Sequence, residues 1–418
     1  MAAKLAAYAP IVGEGVVNEL RLLGERLAGK RVVNVNSTKV GGGVAEILSN
    51  LVPLLQEVGL DVRWEVVQGN EEFFTLTKNL HNSLHGKPYI FTKADRAVYD
   101  RTTAANLRSL DLDADIMFIH DPQPAGLIAA REKLGGGWIW RCHIDVSAPA
   151  VGAWEFIAPL VEQYNLAVFS APQFARTLAM PQVLIAPSID PLSDKNRELS
   201  ETEINEILTR LGITSDKPIV TQISRFDRLK DPLGVLAAWK LARQRVDCQL
   251  VLAGGGATDD PEGAEVLREV REHADADPEV HVLDLPPTSN IEINAIQRAS
   301  AVVIQKSLKE GFGLTVSEAL WKGKPVIAGA VGGIPLQVTH KYSGILTHTV
   351  EGTAFWIKQL IAAPDYAKRL GANGREHVRT NFLLTRHMRD YLLAFLLLEN
   401  PDRDVIQIEP TGRRPSDR

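Results

Sequence analysis

The densest run of residues able to do chemistry is Lys309-Glu310-Gly311-Phe312-Gly313-Leu314-Thr315-Val316-Ser317-Glu318. Gly311 and Gly313 let the backbone come close to a ligand. A helix predicted over 314–322 leaves the N–H groups of Leu314 and Thr315 without intrahelical partners, pointing at an anion and aided by the helix dipole. Each such contact to a diphosphate contributes about 0.3–1 kcal/mol when exposed and more when buried. Glu310 precedes the helix and Glu318 lies one turn inside it, so the carboxylates do not share a face. They suit hydrogen bonds to two separate hydroxyl-bearing groups, such as a sugar and a ribose. A capping loop with an ordinary surface glutamate would use the same glycines; the density of the pattern favours the binding reading.

A second run, Ser224-Arg225-Phe226-Asp227-Arg228-Leu229-Lys230-Asp231-Pro232, offers an arginine fork and a lysine point charge. Together these neutralise a departing diphosphate. The competing reading is a solvated basic turn balanced by Asp227 and Asp231, and the Glu310 loop tips the choice toward function. Gly41-Gly42-Gly43 stands between a strand and a helix. It is not the G-x-G-x-x-G fingerprint, and it reads either as a loop facing phosphate or sugar or as a flexible turn. His120-Asp121-Pro122-Gln123 and Arg141-Cys142-His143-Ile144-Asp145 each follow a strand, which makes both histidines candidates for contacting a sugar. Neither forms a nucleophilic triad. There is no G-x-S-x-G elbow and no Walker A motif, and no metal-type ligand cluster is read. Cys142 and His143 are not taken as nucleophile and base, because neighbours in a strand point to opposite faces.

Short β-branched runs alternating with helical patterns must hold these residues, the signature of parallel α/β sheets. Strands are predicted at 31–36, 61–67, 116–119, 138–142, 166–169 and 183–186. The rhythm restarts at 218–223, 249–253, 280–283, 301–305 and 324–328. Helices are predicted at 44–57, 200–211, 232–245, 261–274 and 385–398. The chain has 418 residues, too many for one ordinary core. Residues 1–190 are expected to form one Rossmann-like domain and 191–384 a second, with a break at Pro187-Ser188-Ile189-Asp190-Pro191. The polar tail 401–418 is expected to be disordered. In open parallel sheets ligands bind beyond the carboxyl ends of the strands, where most of the residues above fall.

Composition narrows the function classes. A net charge of -5 gives no support for nucleic acid as a partner. Two cysteines, Cys142 and Cys248, argue against a disulfide scaffold and suit a reducing cytoplasm. No signal-peptide pattern or membrane-length apolar run is read. The greasiest stretch, 392–398, is short and flanked by charges, as in a buried helix.

Taken together, the block from Glu310 to Glu318 and the Arg225/Lys230 pair resemble the retaining glycosyltransferases of the glycogen-synthase-like superfamily, up to about Asn400. More narrowly, Asn34-Val35-Asn36-Ser37-Thr38 running into the glycine triplet is similar to the trehalose glycosyltransferring synthases. So are His120-Asp121-Pro122-Gln123, Arg141-Cys142-His143-Ile144-Asp145, Ser188-Ile189-Asp190-Pro191 and Gln305-Lys306-Ser307. Fungal-type trehalose phosphorylases look similar but usually carry a long extra N-terminal region. The resemblance implies a GT-B fold: two Rossmann-like domains facing across a cleft, with a C-terminal helix at about 385–400 crossing back to the N-terminal domain. It implies transfer of glucose from ADP-, UDP- or GDP-glucose to glucose, reversibly and with retention, giving trehalose. Arg225 and Lys230 would hold the donor diphosphate with help from the N–H groups of Leu314 and Thr315. Glu310 and His143 would contact the transferred glucose and Glu318 the ribose, while Gly42 and Gly43 would close over the phosphates. Asp121, Gln123 and Asp145, from the acceptor-binding N-terminal half, are the acceptor candidates. No tightly bound cofactor and no metal for the diphosphate is expected, no nucleic-acid or membrane partner, and a homodimer by analogy. The rival readings are a phosphorylase using glucose 1-phosphate and a sugar-nucleotide binder without catalysis.

Overall fold

The computed structural model describes residues 4–39, 42–214, 216–255 and 261–403. Gly41, Gly256 and the tail beyond Arg403 lie outside them. The chain divides into two compact units: the first runs to Pro187 and resumes at Leu384, and the second is Ser188–Leu383.

In the first unit, six strands form one sheet: β1 (Arg31–Asn36), β2 (Asp61–Val66), β3 (Ile116–His120), β4 (Gly137–Arg141), β5 (Leu166–Phe169) and β6 (Gln182–Leu184). Their order is β2-β1-β3-β4-β5-β6, and every pairing is parallel. Helices cover a parallel sheet on both faces, so its strands read as continuous apolar runs. All five residues of β3, Ile-Met-Phe-Ile-His, are buried. The helix Leu384–Glu399 returns to this unit. Its Tyr391 and Phe395 rings meet Phe118 of β3 edge-on at 4.7 and 5.7 Å, and Arg386 donates to the Ala186 carbonyl at 2.7 Å. The greasy stretch 392–398 is part of this helix, with Leu392, Ala394, Phe395 and Leu396 buried.

The second unit repeats the plan with β7 (Ile219–Ile223), β8 (Gln249–Gly254), β9 (Val280–Asp284), β10 (Val302–Gln305), β11 (Val326–Gly329) and β12 (Ile345–Thr347). Their order is β12-β11-β10-β7-β8-β9, again wholly parallel. Strand order reverses between β7 and β10 here, and between β1 and β3 in the first unit. These are the topological switch points, where the crossover helices diverge and leave a crevice at the carboxyl ends of the strands.

The predicted strands lie within one or two residues of those found, with one omission. The edge strand β12 is three residues long, too short to show a period. β4 stops at Arg141, so Cys142 and His143 belong to the loop after it. Cys142 is buried with its thiol on the Ile144 carbonyl. Helix Glu201–Arg210 starts at a capping box in which Ser200 and Glu203 bond each other's backbone N–H groups. Among the described residues no helix is long and apolar enough to cross a membrane.

Candidate functional site

In the second unit the switch point gathers Lys230, Glu310, Leu314 and Thr315. The chain leaves β7 at Ser224, and Asp227 caps the 3₁₀ turn Arg228–Lys230. Asp231 follows with φ 50°, accepts from the Gly234 N–H and opens the helix Pro232–Arg243. This turn aims Lys230 at the segment after β10, where its Nζ lies 2.6 Å from Glu310 Oε2. The same carboxylate oxygen accepts from the Ser307 hydroxyl at 3.2 Å. Gln305 donates to Ser307 Oγ at 3.0 Å, and Thr315 Oγ1 donates to Gln305 Oε1 at 3.3 Å. One hydrogen-bonded chain therefore runs from the Lys230 ammonium to the first turn of helix Leu314–Trp321. Gly313 precedes that helix with φ 81°, and the N–H groups of Leu314 and Thr315 receive no side-chain cap.

Not every basic residue of the second motif joins this cluster. Arg228 turns away to Glu269 and Glu265. Arg225 is more than half exposed and pairs with Asp227 at 3.2 Å. Asp231 is held by Lys306. Glu318, 2% exposed, stays apart from Glu310, with Lys195 Nζ at 3.7 Å. Lys322 is wholly inside the unit, donating to Asn196 Oδ1 at 2.9 Å and to the Glu318 carbonyl at 3.2 Å. Burial pushes its pKa down to about 7. The roles of Gln305, Lys306 and Ser307 escaped a motif-by-motif reading. Their signal was position, since they follow β10 directly as Ser224 and Arg225 follow β7.

The turn 331–337 holds the Glu310 loop from the other side. The Gly333 N–H bonds the Gly311 carbonyl at 3.1 Å, and Gln337 donates to the Phe312 carbonyl. Ser317 fixes Gln337 by donating to its Oε1 at 2.6 Å.

In the first unit, His143 follows β4, half-buried, and its backbone N–H donates to Asp121 Oδ1 at 2.7 Å. Asp121, at the end of β3, has φ 68°, and its carbonyl accepts from the Trp140 indole at 3.1 Å. Burial raises its pKa to about 7. One of its carboxylate oxygens is thus spent on shaping the His143 loop. His120 is 1% exposed, which leaves it almost no surface for a direct sugar contact. Gln123 presents a buried Oε1 with no hydrogen-bond partner among the described residues. Asp145 closes a local turn onto Ser147. Gly42, with φ 82°, starts the helix Gly43–Glu57 with no side-chain cap.

Burial keeps several of these groups neutral, which gives stability a pH dependence. His120 and His387 are pushed down, His120 to about 3, by burial first and by the Arg141 charge in addition. The unfolded chain takes up these protons below about pH 6.5 while the native state refuses them. Their contribution is complete above that pH and lost as pH falls, at about 1.4 kcal/mol per pH unit per ring. Asp121 acts in the opposite sense. Its folded pKa lies above the unfolded one, so its contribution is complete below about pH 4 and is lost as pH rises toward 7. With His143 also pushed well below the usual imidazole range by burial, three rings stand against one carboxyl, and stability is expected to drop by about 2.8 kcal/mol per unit between about pH 6 and 4. Urea midpoints across that range measure it, and a flat profile contradicts the neutral rings.

Comparison with known proteins bears on the family and the fold. Residues 34–176 match the family model "Trehalose synthase, N-terminal domain" and residues 203–377 match "Glycosyl transferases group 1". The trehalose synthase of Rubrobacter xylanophilus is 43% identical, over 94% of this chain and 97% of that protein. The trehalose phosphorylase of Pleurotus pulmonarius is 28% identical over 82% of this chain but only 54% of its own length. Among solved structures, the sucrose-phosphate synthase from Thermosynechococcus elongatus superposes with a TM-score of 0.71 at 19% identity, covering 89% of this chain and all of that one. That likeness shows the two-unit α/β glycosyltransferase fold.

Proposed function

Since the chain belongs to the trehalose synthase family and is a hexosyltransferase, we propose that it moves glucose from a nucleoside diphosphate-glucose (ADP-, UDP- or GDP-glucose) to glucose, forming trehalose reversibly with retention at the anomeric carbon. The observation that carries this reading is the Lys230–Glu310 pair beside the uncapped start of helix Leu314–Trp321. A cation and two backbone donors suit a diphosphate, and a carboxylate already oriented by Ser307 suits the hydroxyls of a sugar attached to it.

The roles follow from the chemistry of each group. Lys230 and Arg225 neutralise the leaving diphosphate, Lys230 as a point charge and Arg225 as a fork. The N–H groups of Leu314 and Thr315 add fixed donors that need no reorganisation as charge develops. Glu310 and His143 contact the transferred glucose, and Glu318 takes the ribose. Gly42 and Gly43 cover the phosphates. Asp121, Gln123 and Asp145 are the acceptor candidates, Gln123 Oε1 having a hydrogen-bond capacity still to fill. The displacement is front-face: the sugar–phosphate bond breaks, an oxocarbenium-like glucose forms, and the acceptor hydroxyl attacks from the side the phosphate left. The departing phosphate oxygen takes the hydroxyl proton, so no glycosidase-type pair of carboxylates is required. We further propose that no metal is needed to hold the diphosphate, and that the protein acts in the cytoplasm, as a homodimer by analogy.

A product assay tests the reading: purified protein with glucose and, in turn, ADP-, UDP- and GDP-glucose, with glucose 1-phosphate as control donor. Trehalose from at least one nucleotide donor is expected. Trehalose from glucose 1-phosphate alone makes the protein a phosphorylase, and binding without turnover of any donor makes it a sugar-nucleotide binder.

A further inference from the structure

Three side chains of the first unit form a line that ends at His143. Asn34 lies on β1 and His120 on the adjacent β3, across the switch point, and both are almost wholly buried. His120 Nε2 is 3.1 Å from Asn34 Oδ1, and His120 Nδ1 is 3.1 Å from His143 Nε2. The two imidazoles lie nearly parallel, their planes 20° apart and centroids 5.4 Å apart. A neutral imidazole has one donor nitrogen and one acceptor, so fixing either nitrogen fixes the other. The Asn34 amide nitrogen has no hydrogen-bond partner among the described residues, which leaves the carbonyl contact to His120 as the polar tie of that side chain.

We propose that Asn34 and His120 are positioning residues that set the tautomer of His143. Asn34 Oδ1 accepts the proton on His120 Nε2; His120 Nδ1, left bare, accepts the proton on His143 Nε2; and His143 therefore presents Nδ1 as a lone pair. Its ring accepts a hydroxyl proton from the sugar and does not donate one. Both rings stay neutral because burial disfavours their charged forms, and the buried Arg141 adds to that cost. The catalytic consequence rests on the proposed contact between His143 and the transferred glucose, but the tautomer is a property of the unliganded protein and is measured without it.

The experiment is long-range ¹⁵N–¹H NMR at neutral pH on the full chain with ¹⁵N-labelled histidine, the His143 signals being assigned by their loss in His143→Gln. The expected spectrum has His143 protonated on Nε2 and bare on Nδ1. A proton on His143 Nδ1, or fast averaging between the two nitrogens, overturns the proposal whatever the enzyme's activity. His120→Leu is expected to release His143 into a tautomer mixture and to lower kcat on the order of tenfold, the worth of one hydrogen bond, with KM for the donor little changed. His120→Asn, whose Oδ1 takes the place of Nδ1, is expected to restore both the single tautomer and most of kcat. If His120→Leu fails to fold, Asn34→Leu serves instead, and an unmixed His143 tautomer there also overturns the relay. An inactive wild type with the expected tautomer defeats the proposed function and leaves the relay standing.

Discussion

Replacing Lys230 with alanine is expected to lower kcat/KM for glucosyl transfer by about 10²–10³-fold, the effect of removing one preorganised donor to a developing negative charge. Lys230 touches Glu310 at 2.6 Å, and both side chains are mostly buried. The substitution therefore removes the cation proposed for the diphosphate and also leaves the Glu310 carboxylate with the Ser307 hydroxyl as its partner in the cluster. That second effect is expected to reduce stability by roughly 1–3 kcal/mol. Combining Lys230→Ala with Glu310→Gln separates the two, because removing the orphaned charge recovers melting temperature while activity stays low. Steady-state kinetics with a nucleotide-glucose donor and thermal unfolding of the wild type and the two variants make the measurement. Near wild-type kcat/KM in Lys230→Ala would remove Lys230 from the diphosphate site.

Gly332→Ala is expected to lower kcat by on the order of 10²-fold, although residue 332 is assigned no contact with substrate. Gly332 has φ 54°, and a Cβ built there would lie 1.6 Å from the Glu310 carbonyl oxygen. Backbone must then move, and it is the backbone that carries Glu310. A displacement of about 1 Å in a positioning group costs about that factor in rate, and a non-glycine residue at positive φ adds on the order of 1–2 kcal/mol of strain. Kinetics on the variant checks the first effect and its melting temperature the second. Unchanged kcat with a lowered melting temperature would show that the Glu310 loop tolerates the shift.

The strand–helix rhythm and the placement of chemistry after strand ends were legible because a parallel sheet leaves both signals in one dimension. Continuous apolar runs mark the strands, and polar, glycine-rich segments mark the ends at which ligands bind. Arg225, Lys230, Glu310, Leu314, Thr315 and His143 are candidates on that basis together with a family resemblance. The edge strand β12 was missed for want of length.

Three features were not legible, each because it depends on residues far apart in the chain. Nothing near Arg228 in sequence says that Glu265 and Glu269 will neutralise it while Lys230 turns to Glu310, 80 residues on. Strand order made that choice, by placing β10 against β7. The switch point between β1 and β3 likewise put Asn34 against His120 and buried a histidine whose sequence position had marked it as a candidate sugar contact. Gly332 reads as an ordinary turn glycine until the Glu310 carbonyl is seen packed against its Cα. Residue type and local spacing carry the chemistry each side chain can perform and the element it stands on. Which groups meet is set by sheet topology, because the neighbours of a strand are selected by crossover connections whose lengths and destinations no local pattern encodes.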